Sequence, residues 1–94
     1  MKSLPTNVAV YRETPVFSES TVPAGLRSRH TTKDGTWGRI TVLEGELLYR
    51  ILEPVVEEHL LDPEHPGVVE PGVAHEVEPR GAVSFRVQFL RAVG

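Results

Sequence analysis

The fold class of this chain is decided by the stretch Trp37–Leu52, which reads W-G-R-I-T-V-L-E-G-E-L-L-Y-R-I-L. Its first half, Trp37 to Leu43, and its second half, Glu46 to Leu52, are rich in β-branched and aromatic residues that favour strands. Between them, Glu44-Gly45 has turn composition. We therefore predict two strands paired as a β-hairpin.

Short strands separated by proline and glycine are predicted along the rest of the chain. Val8 to Tyr11 and Leu26 to His30 are strand candidates, and alternation places His30 on the same side as Leu26. Val55 to Leu61 fits a short strand or a helical turn. The last and most regular strand is Ala82 to Leu90, with an apolar face and a polar face. No stretch carries a 3.6-residue apolar stripe over ten positions, so the sequence predicts an all-β sandwich or small barrel.

Composition limits the classes of function. Ninety-four residues predict one domain, residues 1–94, with a single core. The absence of cysteine excludes disulfides and thiolate sites and leaves His, Asp, Glu and Gln as metal ligands. The net charge is −3 with dispersed cations, so we expect no nucleic-acid or membrane partner. No run approaches the ~20 apolar residues of a membrane span, and we expect a cytoplasmic location.

The turn Pro71-Gly72 presents a candidate metal ligand. Proline and glycine suit the two corners of a tight turn, so backbone geometry sets the position of His75 in the strand His75 to Glu78. His30 is the second candidate, from a distant strand. The alternative for each is a hydrogen-bonded histidine without metal.

Polar residues on two strands form a candidate ligand-binding surface. Trp37 and Arg39 alternate on one strand, and Arg86 and Gln88 on another. If these faces point inward, their guanidinium groups would bind a small anion. If they point outward, they are ordinary solvated positions.

Several patches, in order, resemble the small cupin-like family of TehB/YeaR-like domains, which occur alone or joined to tellurite-resistance methyltransferases. The run Gly67–His75, G-V-V-E-P-G-V-A-H, also resembles the second cupin motif, and Val42–Glu46 the end of the first. The family patches are Tyr11–Phe17 (Y-R-E-T-P-V-F), Val22–Leu26 (V-P-A-G-L), Arg29-His30, Gly35–Gly38 (G-T-W-G), Arg39, Gly45, Tyr49 and His75–Glu78 (H-E-V-E).

This resemblance implies a small cupin-like jelly-roll barrel, also called a double-stranded β-helix, in which His75 helps to hold a divalent metal such as Zn, Fe, Mn or Ni. The first-motif glutamate position is Gly38 here, and the first-motif histidine pair would fall near Thr32 and Asp34, so the usual site is incomplete. His30 and His75 remain, with Glu78, Gln88 or Asp34 as third ligand. Alternation points Glu78 away from His75 unless a bulge intervenes.

Three hypotheses follow for the function. The first is a module that binds a metal or a small ligand near His30 and His75 in a tellurite-resistance or stress-response setting. The second is a small metal-dependent enzyme of oxygenase or isomerase type. The third is a metal-free structural domain that forms a homodimer, since exposed strand edges favour pairing. Methyltransferase activity is not expected to carry over to these 94 residues.

Overall fold

A computed structural model describes residues 1–93 as an all-β domain with one short 3-10 helix. The 3-10 helix is Ala24–Arg27. The strands, in chain order, are β1 Val8–Glu13, β2 Phe17–Ser18, β3 Trp37–Glu44, β4 Leu47–Ile51, β5 Glu57–Leu61, β6 Gly67–Val69, β7 His75–Pro79 and β8 Ser84–Ala92. Within residues 1–93, no helix is long and apolar enough to cross a membrane.

The strands form two antiparallel sheets that pack against each other. The larger sheet has the order β1-β8-β3-β6, with β2 also paired to β8, and the smaller has the order β5-β4-β7. Alternate residues of each strand point inward because side chains of a strand alternate between faces. The core takes buried side chains from both sheets, among them Ile40, Phe85, Leu47, Tyr49 and Val77.

The predicted hairpin between the halves of Trp37–Leu52 is wrong, although both strands exist. β3 pairs with β6 and β8, and β4 pairs with β5 and β7. The turn at Gly45, with φ of +81°, therefore carries the chain from one sheet to the other. The hairpin lies one step later, between β4 and β5. Apolar inward faces on both β3 and β4 are equally suited to a hairpin and to opposing sheets, so local sequence could not separate the two.

The strands do not close into a single barrel within residues 1–93, because the hydrogen-bonded ladders form two separate sheets. A side-chain hydrogen bond nevertheless joins them through the core. The hydroxyl of Tyr49 on β4 donates to the carbonyl of Val68 on β6 at 2.9 Å. Tyr49 is 1% exposed, so this bond satisfies a phenol that would otherwise be buried without a partner.

The predicted strand Leu26–His30 is also wrong. Leu26 lies in the 3-10 helix, with its backbone N–H donating to the carbonyl of Pro23 at 3.0 Å. His30 lies outside the named strands, in an isolated antiparallel bridge to His75. This bridge adds one residue pair to the free edge of β7 and decides where the candidate site forms.

Candidate functional site

Backbone pairing places His30 and His75 side by side. The N–H of His30 donates to the carbonyl of His75 at 2.7 Å, and the N–H of His75 donates to the carbonyl of His30 at 2.9 Å. Directly opposed residues of an antiparallel pair project their side chains to the same face. Two histidines separated by 45 positions in the chain are thereby held on one face of the smaller sheet.

The two imidazole rings are in contact. His30 Nδ1 lies 3.4 Å from His75 Nε2, and the rings meet edge to face with centroids 5.2 Å apart. His75 Nδ1 lies 3.1 Å from the carbonyl oxygen of Val73, so we assign the proton to this nitrogen. His75 Nε2 is then the acceptor and His30 Nδ1 the donor, which leaves His30 Nε2 with a free lone pair.

Burial keeps His75 neutral. The residue is 4% exposed, and burial lowers the pKa of His75 below its usual value. A hydrogen bond to the Val73 carbonyl acts in the opposite direction but is the smaller effect. His75 is therefore suited to accept a hydrogen bond as a neutral imidazole.

The histidine pair forms part of the wall of a cavity between the two sheets. The cavity has a volume of about 330 Å³. Its lining is mostly apolar, with His30, His75, Arg12, Thr14 and Thr32 as the polar side chains. The apolar lining residues are Phe17, Pro23, Gly25, Leu26, Ile40, Val69, Val77, Phe85, Val87 and Phe89. An apolar cavity with a few polar groups is the usual form of a small-molecule site.

A more polar cleft adjoins this cavity. It has a volume of about 270 Å³ and shares Arg12, His30, Thr32 and Phe89 with the cavity. Tyr11, Thr31, Lys33 and Thr36 complete its lining. The two spaces therefore adjoin each other at His30, and His75 belongs to the lining of the cavity.

The predicted anion-binding residues lie elsewhere. Trp37 and Arg39 alternate with core residues of β3, and Arg86 and Gln88 with those of β8, so all four belong to the outer face of the larger sheet. Arg39 Nε and Nη2 donate to Gln88 Oε1 at 2.9 and 2.6 Å. The structure thus corrects the expectation of one pocket that combines these residues with His30 and His75.

The expected third metal ligands also lie apart from the histidine pair. Glu78 points outward, with its side chain 47% exposed and 3.7 Å from Arg80. The side chain of Gln88 lies on the outer face, where it forms hydrogen bonds with Arg39 and Glu13. Asp34 lies in an exposed loop. Among residues 1–93, no group of three or more His, Asp or Glu side chains could hold a metal ion. The donor set is therefore two imidazoles.

Sequence reasoning missed several lining residues, of which Arg12 is the most informative. β1 contains an irregularity between Val10 and Arg12: Val10 pairs with Leu90, and Arg12 pairs with Phe89. This β-bulge makes Arg12 share the inward face of Phe89. Simple alternation would have kept Arg12 on the face of Val10, and nothing in the local sequence marks the bulge.

These features define a class of protein: a two-sheet antiparallel β domain with a histidine-flanked cavity between its sheets. The TehB-like domain family matches residues 12–87, which includes nearly every residue that lines the cavity and cleft. The chain belongs to the TehB-like domain family.

Two curated relatives show how this domain is used in other chains. The chain is 42% identical over 72 residues to the "Probable S-adenosyl-L-methionine-dependent methyltransferase TehB" of Haemophilus influenzae, a match that covers 72% of this chain and 25% of that protein. It is 31% identical over 75 residues to the uncharacterized protein YeaR of Escherichia coli, covering 77% of this chain and 60% of YeaR. The chain thus spans about a quarter of TehB.

Solved structures share the fold. The crystal structure of TehB from Haemophilus influenzae superposes with a TM-score of 0.86 and 33% identity, over 93% of this chain and 32% of that one. A structural-genomics target from Escherichia coli K12 superposes with a TM-score of 0.90 and 25% identity, over 100% of both chains. The second match shows that the same architecture forms a whole chain elsewhere.

Proposed function

We propose that this TehB-like domain binds a small, largely apolar molecule in the cavity between its sheets, with the His30–His75 pair as the polar anchor. The observation that carries the proposal is the cavity of about 330 Å³ with a defined hydrogen-bonding group in its wall. An apolar body would be stabilised by removing its surface from water. A ligand hydroxyl or N–H would donate to the free lone pair of His30 Nε2.

The preorganisation of the histidine pair supports this role. Two backbone hydrogen bonds fix the pair, and the Val73 carbonyl fixes the tautomer of His75. A polar group that is already oriented loses little conformational freedom when a ligand binds. Mutual hydrogen bonding also satisfies His75 in the empty site, so the buried imidazole is stable in both states.

Indole is a suitable first probe because it combines an apolar ring with one N–H donor. We expect saturable NMR shifts of cavity backbone amides, such as those of Val77 and Val87, with a Kd at or below about 1 mM. Leu26→Trp fills the mouth of the cavity and should weaken binding at least tenfold, an order-of-magnitude expectation. Leu43→Trp makes the same substitution at an exposed site and should change nothing. Shifts that do not saturate, or that survive Leu26→Trp, would refute the proposal.

A divalent metal on the same two histidines is the second candidate. The observation that favours it is the 3.4 Å separation of His30 Nδ1 and His75 Nε2, because two ligands of one tetrahedral zinc ion lie about 3.4 Å apart when each bond is ~2.1 Å. In the tautomer of His30 that carries its proton on Nε2 instead of Nδ1, His30 Nδ1 and His75 Nε2 would both have a free lone pair. Residues 1–93 do not supply a third protein ligand beside the two histidines, so the donor set does not fit a complete site and we derive no metal-dependent chemistry.

Elemental analysis decides between these candidates. If the second candidate is right, protein purified without a tag should carry near-stoichiometric Zn, Fe, Mn or Ni, and both His30→Ala and His75→Ala should lose it. His65→Ala, in an exposed loop, is the matched control and should keep the metal. The protein is then reloaded with an excess of the metal ion and dialysed. Less than about 0.1 ion per chain after this treatment would rule out the second candidate, since a structural or catalytic metal site would be occupied.

The activity named for TehB does not transfer to the cavity described here. Among residues 1–93, no Asp or Glu lines the cavity, whereas Rossmann-type nucleotide sites hold a ribose hydroxyl with such a carboxylate. The residues therefore do not fit an S-adenosylmethionine site. We propose instead a ligand-binding role in a tellurite-resistance or stress-response setting, in the cytoplasm.

Two structural expectations also become proposals. The chain crosses between the sheets after β3, after β5, after β6 and after β7, which supports an open relative of the cupin jelly roll. A homodimer is supported by the free edge of β5, where Leu60 is 50% exposed.

A further inference from the structure

The charge of the polar cleft beside the cavity indicates which chemical class of ligand the site favours. Its lining contains two cations, Arg12 and Lys33, together with hydroxyl groups and the ring of His30. Among residues 1–93, no Asp or Glu side chain lines the cleft. In a chain of net charge −3, a cleft lined only by cations and neutral groups is a local departure from the overall charge, and it favours an anion.

The backbone directs Arg12 into this position. The bulge in β1 turns Arg12 to the inward face, opposite Phe89, where its side chain lines both the cavity and the cleft. β-Bulges commonly re-aim a side chain beside a functional site. Without the bulge, the guanidinium would lie on the outer face with Val10.

Both cations are available to a ligand. Among residues 1–93, the side chains of Arg12 and Lys33 form no salt bridge or hydrogen bond, whereas Arg29, Arg50, Arg80 and Arg86 are each paired with a carboxylate. Arg91 adds positive charge nearby, since its guanidinium carbon lies 4.4 Å from the centre of the Tyr11 ring. An incoming anion would therefore displace no ion pair at this site.

We propose that the ligand is a small amphiphilic carboxylic acid, with its apolar body in the cavity and its carboxylate on Arg12 and Lys33. This inference rests on the proposed function and names the class of ligand. The cavity and the cleft share Arg12, His30, Thr32 and Phe89 in their linings, so the proposal places one molecule across both. A carboxylate accepts hydrogen bonds from a guanidinium in a bidentate arrangement, and the lysine contributes a point charge.

The test compares two probes of the same carbon skeleton, 3-phenylpropionate with an anionic head group and 3-phenylpropanamide with a neutral one. Both are titrated by NMR into the full chain at low salt and neutral pH. We expect the acid to bind about tenfold more tightly than the amide. Arg12→Gln and Lys33→Gln should each weaken acid binding about several-fold and weaken amide binding less. Arg80→Gln removes the same charge outside both spaces and should leave both probes unaffected.

The outcomes separate this inference from the proposed function. If the acid and the amide bind equally and Arg12→Gln has no effect, the carboxylate inference is wrong while the cavity proposal stands. If neither probe shifts the cavity amides in a saturable way, both are wrong. If Arg80→Gln weakens acid binding as much as Arg12→Gln, the preference reflects net charge, and the assignment to the cleft is wrong.

Discussion

Gly45→Ala is expected to lower the free energy of unfolding by about 3 kcal/mol, the sum of backbone strain and steric overlap. Gly45 has φ of +81°, a conformation that an L side chain adopts at a cost of about 1–2 kcal/mol. A Cβ atom there would also overlap the carbonyl oxygen of Ala82 and crowd Val83. The overlap is with backbone atoms, which cannot rotate away.

Gly35→Ala separates the two effects. Gly35 has φ of +77°, yet a Cβ atom there would meet nothing within 4 Å. We therefore expect a loss of about 1 kcal/mol from strain alone. Urea unfolding measures both variants, and a difference of about 2 kcal/mol corresponds to roughly 10 °C in Tm for a domain of this size. Equal losses would show that the contact between this turn and the segment before β8 relaxes freely.

The second large effect is a dependence of stability on pH through His75. Burial lowers the pKa of His75 in the folded state, whereas in the unfolded chain it is about 6.5. As the pH falls below about 6.5, the unfolded state takes up a proton that the folded state excludes. The free energy of unfolding should therefore fall with falling pH, by at most about 1.4 kcal/mol per pH unit, until the folded-state pKa is reached. Among residues 1–93, the ionisable side chains whose rings pack against His75 are those of His30 and Tyr49.

Urea unfolding between pH 8 and pH 5.5, with a chelator present, checks this expectation. His75→Phe should remove most of the slope, because the variant has no imidazole at this buried position. Val77→Ala is the control: it lies on the same strand, is buried and has no ionisable group, so it should lower stability at every pH and retain the slope. A slope unchanged in His75→Phe would assign the effect to other groups.

Local patterns located most of the strands. Alternation over Ala82–Leu90 correctly gave a strand with an apolar and a polar face, and in β8 Phe85 and Val87 point inward while Arg86 and Gln88 point outward. Composition of Trp37–Leu52 correctly gave β3 and β4. These predictions succeeded because side-chain period and turn residues are properties of a few adjacent positions. Whether Arg86 and Gln88 point into the interior stayed open in the sequence, because the same alternation does not state which face is interior.

Some residues of the site could be recognised from local sequence and others could not. His30 and His75 were recognised as candidates, and the structure places them in contact. The spacing of Glu78 already indicated that it points away from His75, and it does. Arg12 could not be recognised because the bulge that turns it inward depends on how β1 aligns with β8. These two strands are roughly eighty positions apart in the chain. The geometry of such a bulge is set by the packing of strands that are far apart in the sequence.

By itself, the sequence determined an all-β chain, the approximate positions of its strands, the alternating faces and the two histidines. Each follows from steric and conformational preferences of neighbouring residues. Tertiary structure alone decided that β3 and β4 lie in opposite sheets, that His30 pairs with His75, and that Arg12 lines the space beside them. Those outcomes depend on burying the apolar faces of both sheets while the backbone N–H and C=O groups form their hydrogen bonds. The whole chain must meet this condition at once.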